Sequence, residues 1–300
     1  MPYALARAPG EARKSPVRAL ITGGRGQLGS DLLRLLGDDA HVRSHAELDI
    51  TDPAQLDRAF EEVQPDVVFN CAAFHNLDEC ERNPDPAWAT NVRAVMDLAR
   101  RGAKLVHLST NYVFDGRRPE PYLEHDLPRP RSVYALTKLA GEYAALAYGP
   151  DSLVVRSAGL YGLAGNASKG GNFVQRVLGR ARDTGQLTMV ADQRLQPTYT
   201  PDLAAALVDA VASDATGLLH LTNSGACSWL EFTQAIVENA GLDVPIEAVT
   251  TTVPPGGVDR PLNGVLAHAR AGELGLAPLR PWREALDDYM VAAQLSAAPA

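Results

Sequence analysis

A short apolar strand that stops on evenly spaced glycines constrains this chain more than any other stretch. Val17 to Thr22 is suited to a buried strand, and it runs directly into Gly23-Gly24-Arg25-Gly26-Gln27-Leu28-Gly29. Beyond that turn, Leu28, Leu32, Leu35 and Leu36 recur at helical spacing. Strand, glycine turn and helix in this order form a phosphate cradle. The glycines permit the tight turn, let the backbone approach a pyrophosphate and let the helix pack on the strand. The expected fold is therefore α/β, with a Rossmann-like doubly wound parallel sheet. Gly23, Gly26, Gln27, Leu28 and Gly29 are candidates for holding a dinucleotide.

Further strands read in the same way. A second, short one covers Ala40 to Arg43, where the common NAD pattern ends in an acid that binds ribose hydroxyls. Here it ends in Val42-Arg43-Ser44-His45. Arg43 either meets a 2′-phosphate, which favours NADPH over NADH, or lies in solvent, and the residues leave both readings open. Asp52 is placed to cap a helix with Pro53 in its first turn, which frees Asp49, beside Ile50, to accept from an adenine amino group. Asp66 to Asn70 is a third strand, followed by the small residues Cys71, Ala72 and Ala73. A helix is expected from Pro86 to Arg101, ending at Gly102, and then a fourth strand from Lys104 to Ser109. That strand delivers Thr110 to its carboxyl end, where doubly wound sheets bind ligands.

The candidate chemistry lies in Tyr134-Ala135-Leu136-Thr137-Lys138. A tyrosine and a lysine four apart share one helix face. A nearby ammonium favours phenolate and lowers the phenol's pKa, which suits Tyr134 to proton transfer. Thr110, from the neighbouring strand end, is the candidate to orient a substrate oxygen.

The chain beyond Leu153 to Arg156, a fifth strand, loses clean strand–helix alternation. It holds a Gly/Ala/Ser-rich loop (Leu163 to Gly171) expected to be mobile, a helix from Asn172, a strand from Leu187 to Val190 and a helix capped at Thr200. A strand from Gly217, a helix from Ser228, a Pro/Gly-rich loop (Pro254 to Gly257) and a last helix from Pro281 complete it. The expected organisation is a floppy extension over 1–16, a dinucleotide-binding domain over 17–156 with sheet segments returning around 186–222, and a smaller, interleaved substrate lobe over 157–300.

The formal net charge is −8. Such a field does not draw in nucleic acid or anionic membrane, so anionic ligands must be held by local basic groups and backbone amides. No run of 18 apolar residues suggests a membrane span, and the N-terminal stretch lacks the apolar core of a secretory signal. Cys71, Cys80 and Cys227 lack metal-ligand spacing and read as reduced thiols in a cytoplasmic protein.

Together these residues resemble the extended short-chain dehydrogenase/reductase superfamily and, within it, the dTDP-4-dehydrorhamnose reductase family. Thr22 to Gly29 matches T-G-x-x-G-Q-L-G, and Leu48 to Asp52 matches L-D-I-T-D. Asn70 to Ala73 resembles N-A-A-A with Cys71 for one alanine. Ser109 to Gly116 matches S-T-D-Y-V-F-D-G with Asn111 for the aspartate. Tyr134 to Glu142 matches Y-G-x-T-K-L-A-G-E with Ala135 for glycine, and Pro197 to Ala204 and Arg260-Pro261-x-Asn263 complete the set. The resemblance implies a Thr110–Tyr134–Lys138 triad that reduces a sugar C4 ketone with NADPH or NADH. Tyr134 protonates the alkoxide, Lys138 bonds the nicotinamide ribose and Thr110 orients the carbonyl. It also implies that Asn111, Gly159 and Arg260 face the sugar nucleotide. Gly159 stands where the family has a tryptophan, which predicts a more open pocket. Some relatives bind Mg2+ at a dimer interface, but no carboxylate cluster here carries that over. No metal ligand is assigned, and a homodimer is left as an expectation.

Three functions compete. One is a reductase of a 4-keto nucleotide sugar. A second is a related epimerase or dehydratase, although a dehydratase wants an ionisable acid where Asn111 stands. The third is a dinucleotide-binding regulatory subunit with little turnover.

Overall fold

The computed structural model describes residues 17–164, 170–254 and 256–295. The expected N-terminal extension and the middle of the loop beginning at Leu163 lie outside the described residues.

Six strands form one parallel sheet: β1 (Ala19–Thr22), β2 (Ala40–Arg43), β3 (Val67–Asn70), β4 (Lys104–Thr110), β5 (Leu153–Ser157) and, much later, β10 (Gly217–His220). Their order is β10-β5-β4-β3-β1-β2. The winding reverses between β1 and β3, and this switch point is where such sheets leave a crevice at their carboxyl ends. Strands buried on both faces are mostly apolar. Ala19 and Ile21 pack with Leu28 and Leu32 on one side, while Leu20 packs with Leu56 and Leu98 on the other.

The helices follow from their caps. Helix α1 (Gln27–Leu36) begins at Gly26, α2 (Pro53–Val63) is capped by the Asp52 carboxylate, and α3 spans Leu77–Arg82. The single helix expected from Pro86 is α4 (Asp85–Trp88), a π turn over Ala89–Arg93 and then α5 (Ala94–Ala99). The wide turn sits at Asn91. Its side chain bonds the backbone of Phe74 and the Thr137 hydroxyl, so tertiary contacts override the simple helical pattern. Ser132 caps α6 (Val133–Tyr148).

Between β5 and β10 the chain forms β6 (Leu160–Tyr161), α7 (Phe173–Thr184), β7 (Leu187–Val190), β8 (Arg194–Leu195), β9 (Thr198–Tyr199) and α8 (Thr200–Ala212). Tyr199 holds the cap position of α8. The Thr200 hydroxyl is occupied instead with Asp31 of α1, at 2.6 Å. After β10 come β11 (Cys227–Ser228), α9 (Trp229–Asn239), β12 (Ile246–Val249), α10 (Ala269–Glu273) and α11 (Trp282–Ala292). Of the segments expected to return to the sheet around 186–222, Gly217–His220 pairs with β5, while β7 pairs with β12 in a two-stranded sheet of its own. A separate apolar cluster joins α7, α9 and α11 through Val177, Phe232, Trp282 and Leu286. No helix of the described residues is long and apolar enough to cross a membrane.

Candidate active site

The carboxyl ends of β1, β3 and β4 open into one cleft of about 870 Å³. At the switch point it is built from backbone. Gly23 takes φ +64, and a Cβ there would stand 2.8 Å from the Ala72 amide nitrogen. A Cβ on Gly29 would stand 2.5 Å from Gly24 Cα, so this glycine serves the packing of the turn on the helix. Gly26 is different. Its φ is ordinary and the nearest obstacle is the Gly23 carbonyl oxygen at 3.1 Å, so its hydrogen keeps space on the cleft side. No side chain caps α1, whose first amides are left for an anion. A cradle that side chains would fill and an uncapped helix start suit a dinucleotide pyrophosphate.

Gly23, Gly26, Gln27, Leu28, Gly29, Asp49, Ile50, Ala72, Ala73, Thr110, Asn111, Tyr134, Lys138, Gly159 and Arg260 all line this cleft. Arg43 does not. Its guanidinium donates to the Val42 carbonyl at 3.1 Å and pairs with Glu62 at 3.3 Å, which turns it along α2. Arg25, inside the glycine turn itself, lines the cleft with Ser44 and His45 and is the better-placed cation. Several other candidates are also engaged. Asp49 accepts from the Thr51 amide and hydroxyl at 2.9 and 2.7 Å, bonds that hold its carboxyl below the usual range. Gln27 accepts from the Gly162 amide at 2.8 Å, tying α1 to the segment after β6. Asn111 donates to the Gly264 carbonyl at 2.9 Å, where a Cβ on Gly264 would collide with its amide nitrogen.

The expected openness beside Gly159 is corrected by its surroundings. Gly159 takes φ +56, and a Cβ there would meet Leu195 Cδ1 at 2.9 Å and the Gln196 carbonyl at 3.2 Å. Leucine and backbone fill this position, so the glycine reflects close approach rather than a vacated aromatic site.

Thr110, Tyr134 and Lys138 come together as expected, but their electrostatics differ. The Thr110 hydroxyl lines the cleft with the Tyr134 phenol, accepts from the Tyr112 amide at 3.2 Å and reaches Asn111 Oδ1 at 3.4 Å. Desolvation raises the phenol well above its ordinary value, with Thr110 opposing, and Lys138 is not among the groups that shift it. The expectation that Lys138 lowers the Tyr134 pKa is overturned in this conformation. Lys138 Nζ donates to the Leu108 carbonyl at 2.5 Å and lies 3.3 Å from His107 Nε2. Burial pushes its own pKa down to about 8, with Glu142 opposing.

Sequence reasoning missed the far side of the cleft. Phe173 and Trp229, at the starts of α7 and α9, pack with ring centroids 4.3 Å apart, and Arg176 and Arg194 line the same space. Tyr112 meets Tyr134 edge to face at 6.2 Å, and the charge of Arg260 opposes the burial that raises its phenol. Only the position of Tyr112 beside Thr110 offered a signal. Among the described residues the lining thus holds Arg25, Lys138, Arg176, Arg194 and Arg260 against the single carboxylate of Asp49, an inversion of the chain's overall charge. Among the described residues no group of three or more His, Cys, Asp and Glu is placed to hold a metal ion.

Known proteins resemble this chain over most of its length. The family model described as RmlD substrate binding domain matches residues 17–295. The chain belongs to this family. It is 38% identical over 280 residues to the spore coat polysaccharide biosynthesis protein SpsK of Bacillus subtilis (strain 168), covering 91% of this chain and 96% of that one. Identity is also 38% over 288 residues to the dTDP-4-dehydrorhamnose reductase of Mycobacterium tuberculosis (strain ATCC 25618 / H37Rv), with coverage of 92% and 93%. Among solved structures, the dTDP-4-dehydrorhamnose reductase of Bacillus anthracis str. Ames in complex with NADP superposes with a TM-score of 0.87 at 31% identity, covering 94% of this chain and all of that one. The extended short-chain dehydrogenase/reductase resemblance and the doubly wound α/β fold are consistent with these matches.

Proposed function

We propose that this protein is an NAD(P)H-dependent reductase of a dTDP-linked 4-keto-6-deoxysugar, acting in nucleotide-sugar biosynthesis of the dTDP-rhamnose type. The observation that carries the reading is the meeting, in one cleft, of an uncapped helix start, the Thr110–Tyr134–Lys138 group and a cationic far side. The names and the NADP complex of the relatives support the same reaction and cofactor class.

In this reading residues 17–156 hold the dinucleotide, with its pyrophosphate on Gly26 and the first amides of α1, and its adenosine beside Asp49, Ile50, Ala72 and Ala73. The later part of the chain forms the sugar-nucleotide lobe. Phe173 and Trp229 offer the base a flat apolar wall, and Arg176, Arg194 and Arg260 offer its diphosphate charge. NAD(P)H, when bound, supplies the hydride. Thr110 holds the substrate carbonyl oxygen against the phenol. Tyr134, a phenol protonated at neutral pH and shifted further upward by desolvation, gives its proton to that oxygen as negative charge develops there. Lys138, charged below a pH of about 8, releases the Leu108 carbonyl to reach the nicotinamide ribose. The reading includes a cytoplasmic location. It also includes a homodimer, for which Leu136 and Tyr143 on the outer face of α6, 46% and 59% exposed, are available contacts.

A panel of 4-keto sugar nucleotides, each with NADPH and NADH, tests this by loss of reduced-nicotinamide absorbance. Turnover with a dTDP-4-keto-6-deoxysugar supports the reductase. Tight dinucleotide binding with no turnover on any sugar would favour the regulatory-subunit reading.

A further inference from the structure

Beneath Lys138 a row of polar side chains crosses three parallel strands. Thr22 is paired in register with Asn70, and Asn70 with His107, so the three stand side by side across β1, β3 and β4. All are at most 1% exposed. Thr22 Oγ1 lies 2.7 Å from Asn70 Oδ1, Asn70 Nδ2 3.1 Å from His107 Nδ1, and His107 Nε2 3.3 Å from Lys138 Nζ. Gly141 of α6 packs over this row; a Cβ there would collide with the Asn91 carbonyl oxygen and stand 3.3 Å from His107 Nε2. Buried polar rows persist when every member is satisfied, and an unsatisfied one is costly.

The row poses a question of proton placement. Burial and the charge of Lys138 push His107 well below its ordinary pKa, so the ring carries a single proton at neutral pH. With the Asn70 amide nitrogen facing Nδ1, that proton is on Nε2 and points at Lys138, which must then accept as a neutral amine. With the amide turned by half a rotation, Nδ1–H donates to Asn70 Oδ1 and Nε2 accepts from an ammonium.

We propose that His107, oriented by Asn70 and Thr22, is the positioning residue of Lys138, exchanging tautomers as the lysine gains or loses its proton. The overall change is balanced. An ammonium over a ring protonated at Nδ1 becomes an amine over a ring protonated at Nε2, and one proton leaves to water in the cleft. The other groups that bear on Lys138 are Cys71, whose thiol burial pushes up to about 12, and Glu142, which is held by Arg156 at 2.6 Å. Neither forms a hydrogen bond to the lysine among the described contacts, which leaves His107 and the Leu108 carbonyl as its partners.

The test starts on the protein without ligands, so it stands apart from the reductase reading. Histidine labelled with 15N is followed by ring-nitrogen correlation spectra through the pH range around Lys138. His107 is expected to pass from the Nδ1–H to the Nε2–H pattern at a pH of about 8 without becoming imidazolium, and Lys138→Met is expected to abolish the passage. One tautomer throughout, or an imidazolium near neutrality, would overturn the proposal. The kinetic arm rests on the reductase reading. Activity should fall as pH rises through the Lys138 titration. His107→Leu should move that limb down by about one pH unit, whereas His107→Gln, whose carboxamide oxygen replaces the Nε2 acceptor, should keep it in place. A loss of kcat equal at every pH in both variants would mark His107 as packing only. Should His107→Leu fail to fold, the spectra decide alone.

Discussion

The two sides of the cleft floor are built in opposite ways. At the switch point between β1 and β3, the shape of the cleft depends on side chains that are missing: Gly23 and Gly29 leave room for backbone, and Gly26 keeps an open side. Beneath Tyr134 it depends on side chains that are present and mutually engaged: Thr110, Lys138 and His107 with their partners. The backbone cradle is largely local: Gly26 and Gly29 act on Gly23 and Gly24, and only Gly23 reaches another strand, at the Ala72 backbone. The polar floor is non-local, as the register of three strands and one helix decides what each group meets. The first should tolerate change almost anywhere except its own glycines, whereas the second should respond to substitutions remote in sequence.

The sharpest way to break the comparison is Tyr134→Phe, which removes a proton and little else. Positioned acid catalysis is typically worth about 10²–10⁴-fold, so kcat should fall within that range with dinucleotide affinity nearly intact. A variant that kept more than about a third of wild-type kcat would place the proton donor elsewhere in the cleft, because the expected loss is far larger.

On the glycine side, Gly26→Val and Gly29→Ala should separate binding from folding. Gly26 has an ordinary φ and one contact at 3.1 Å, so its valine should fold and lose dinucleotide affinity by about tenfold or more, its branches standing where phosphate meets the helix. A Cβ on Gly29 would press on Gly24 backbone at 2.5 Å, so even alanine should lower the melting temperature. Unchanged affinity in calorimetry for Gly26→Val would move the pyrophosphate away from this turn.

How far each side could be read without coordinates follows from the same locality. The glycine turn, the Asp52 cap and the strand ends carrying Thr110 and Ala72 were legible because their signals are short-range. The direction of the Lys138 ammonium was not, because its partners come from β4. Neither was the π turn at Asn91, nor the bond from Asn111 to Gly264, 153 residues away. The arginines at 176 and 194 gave no signal, since a lone arginine at a helix start or strand end is usually solvated.

A smaller effect is expected at Gly159. Restoring an aromatic with Gly159→Trp should not tighten binding of dTDP-4-dehydrorhamnose. A non-glycine residue held at positive φ costs roughly 1–3 kcal/mol, and the new Cβ would displace Leu195 and the Gln196 carbonyl. The expected result is a lower melting temperature and equal or weaker affinity. Tighter binding would show that the loop can open and that the position does face the sugar.

The smallest expected effect distinguishes two arginines only 18 positions apart, at 25 and 43. Arg25 is largely exposed at the mouth of the cleft, 76% by its side chain, and its contact with Glu47 at 3.5 Å is loose enough to exchange for a phosphate. Arg43 is held by Glu62 and the Val42 carbonyl, outside the lining. An exposed charge contributes little, so Arg25→Ala should weaken NADPH by about two- to fivefold and leave NADH unchanged. Raising the salt concentration should shrink the difference, as screening weakens such a contact. Arg43→Ala should change neither affinity. The reverse result, NADPH weakened by Arg43→Ala and untouched by Arg25→Ala, would mean that the β2 arginine leaves Glu62 when the dinucleotide arrives. The glycine side of the cleft would then depend, like the polar floor, on a side chain that changes partners.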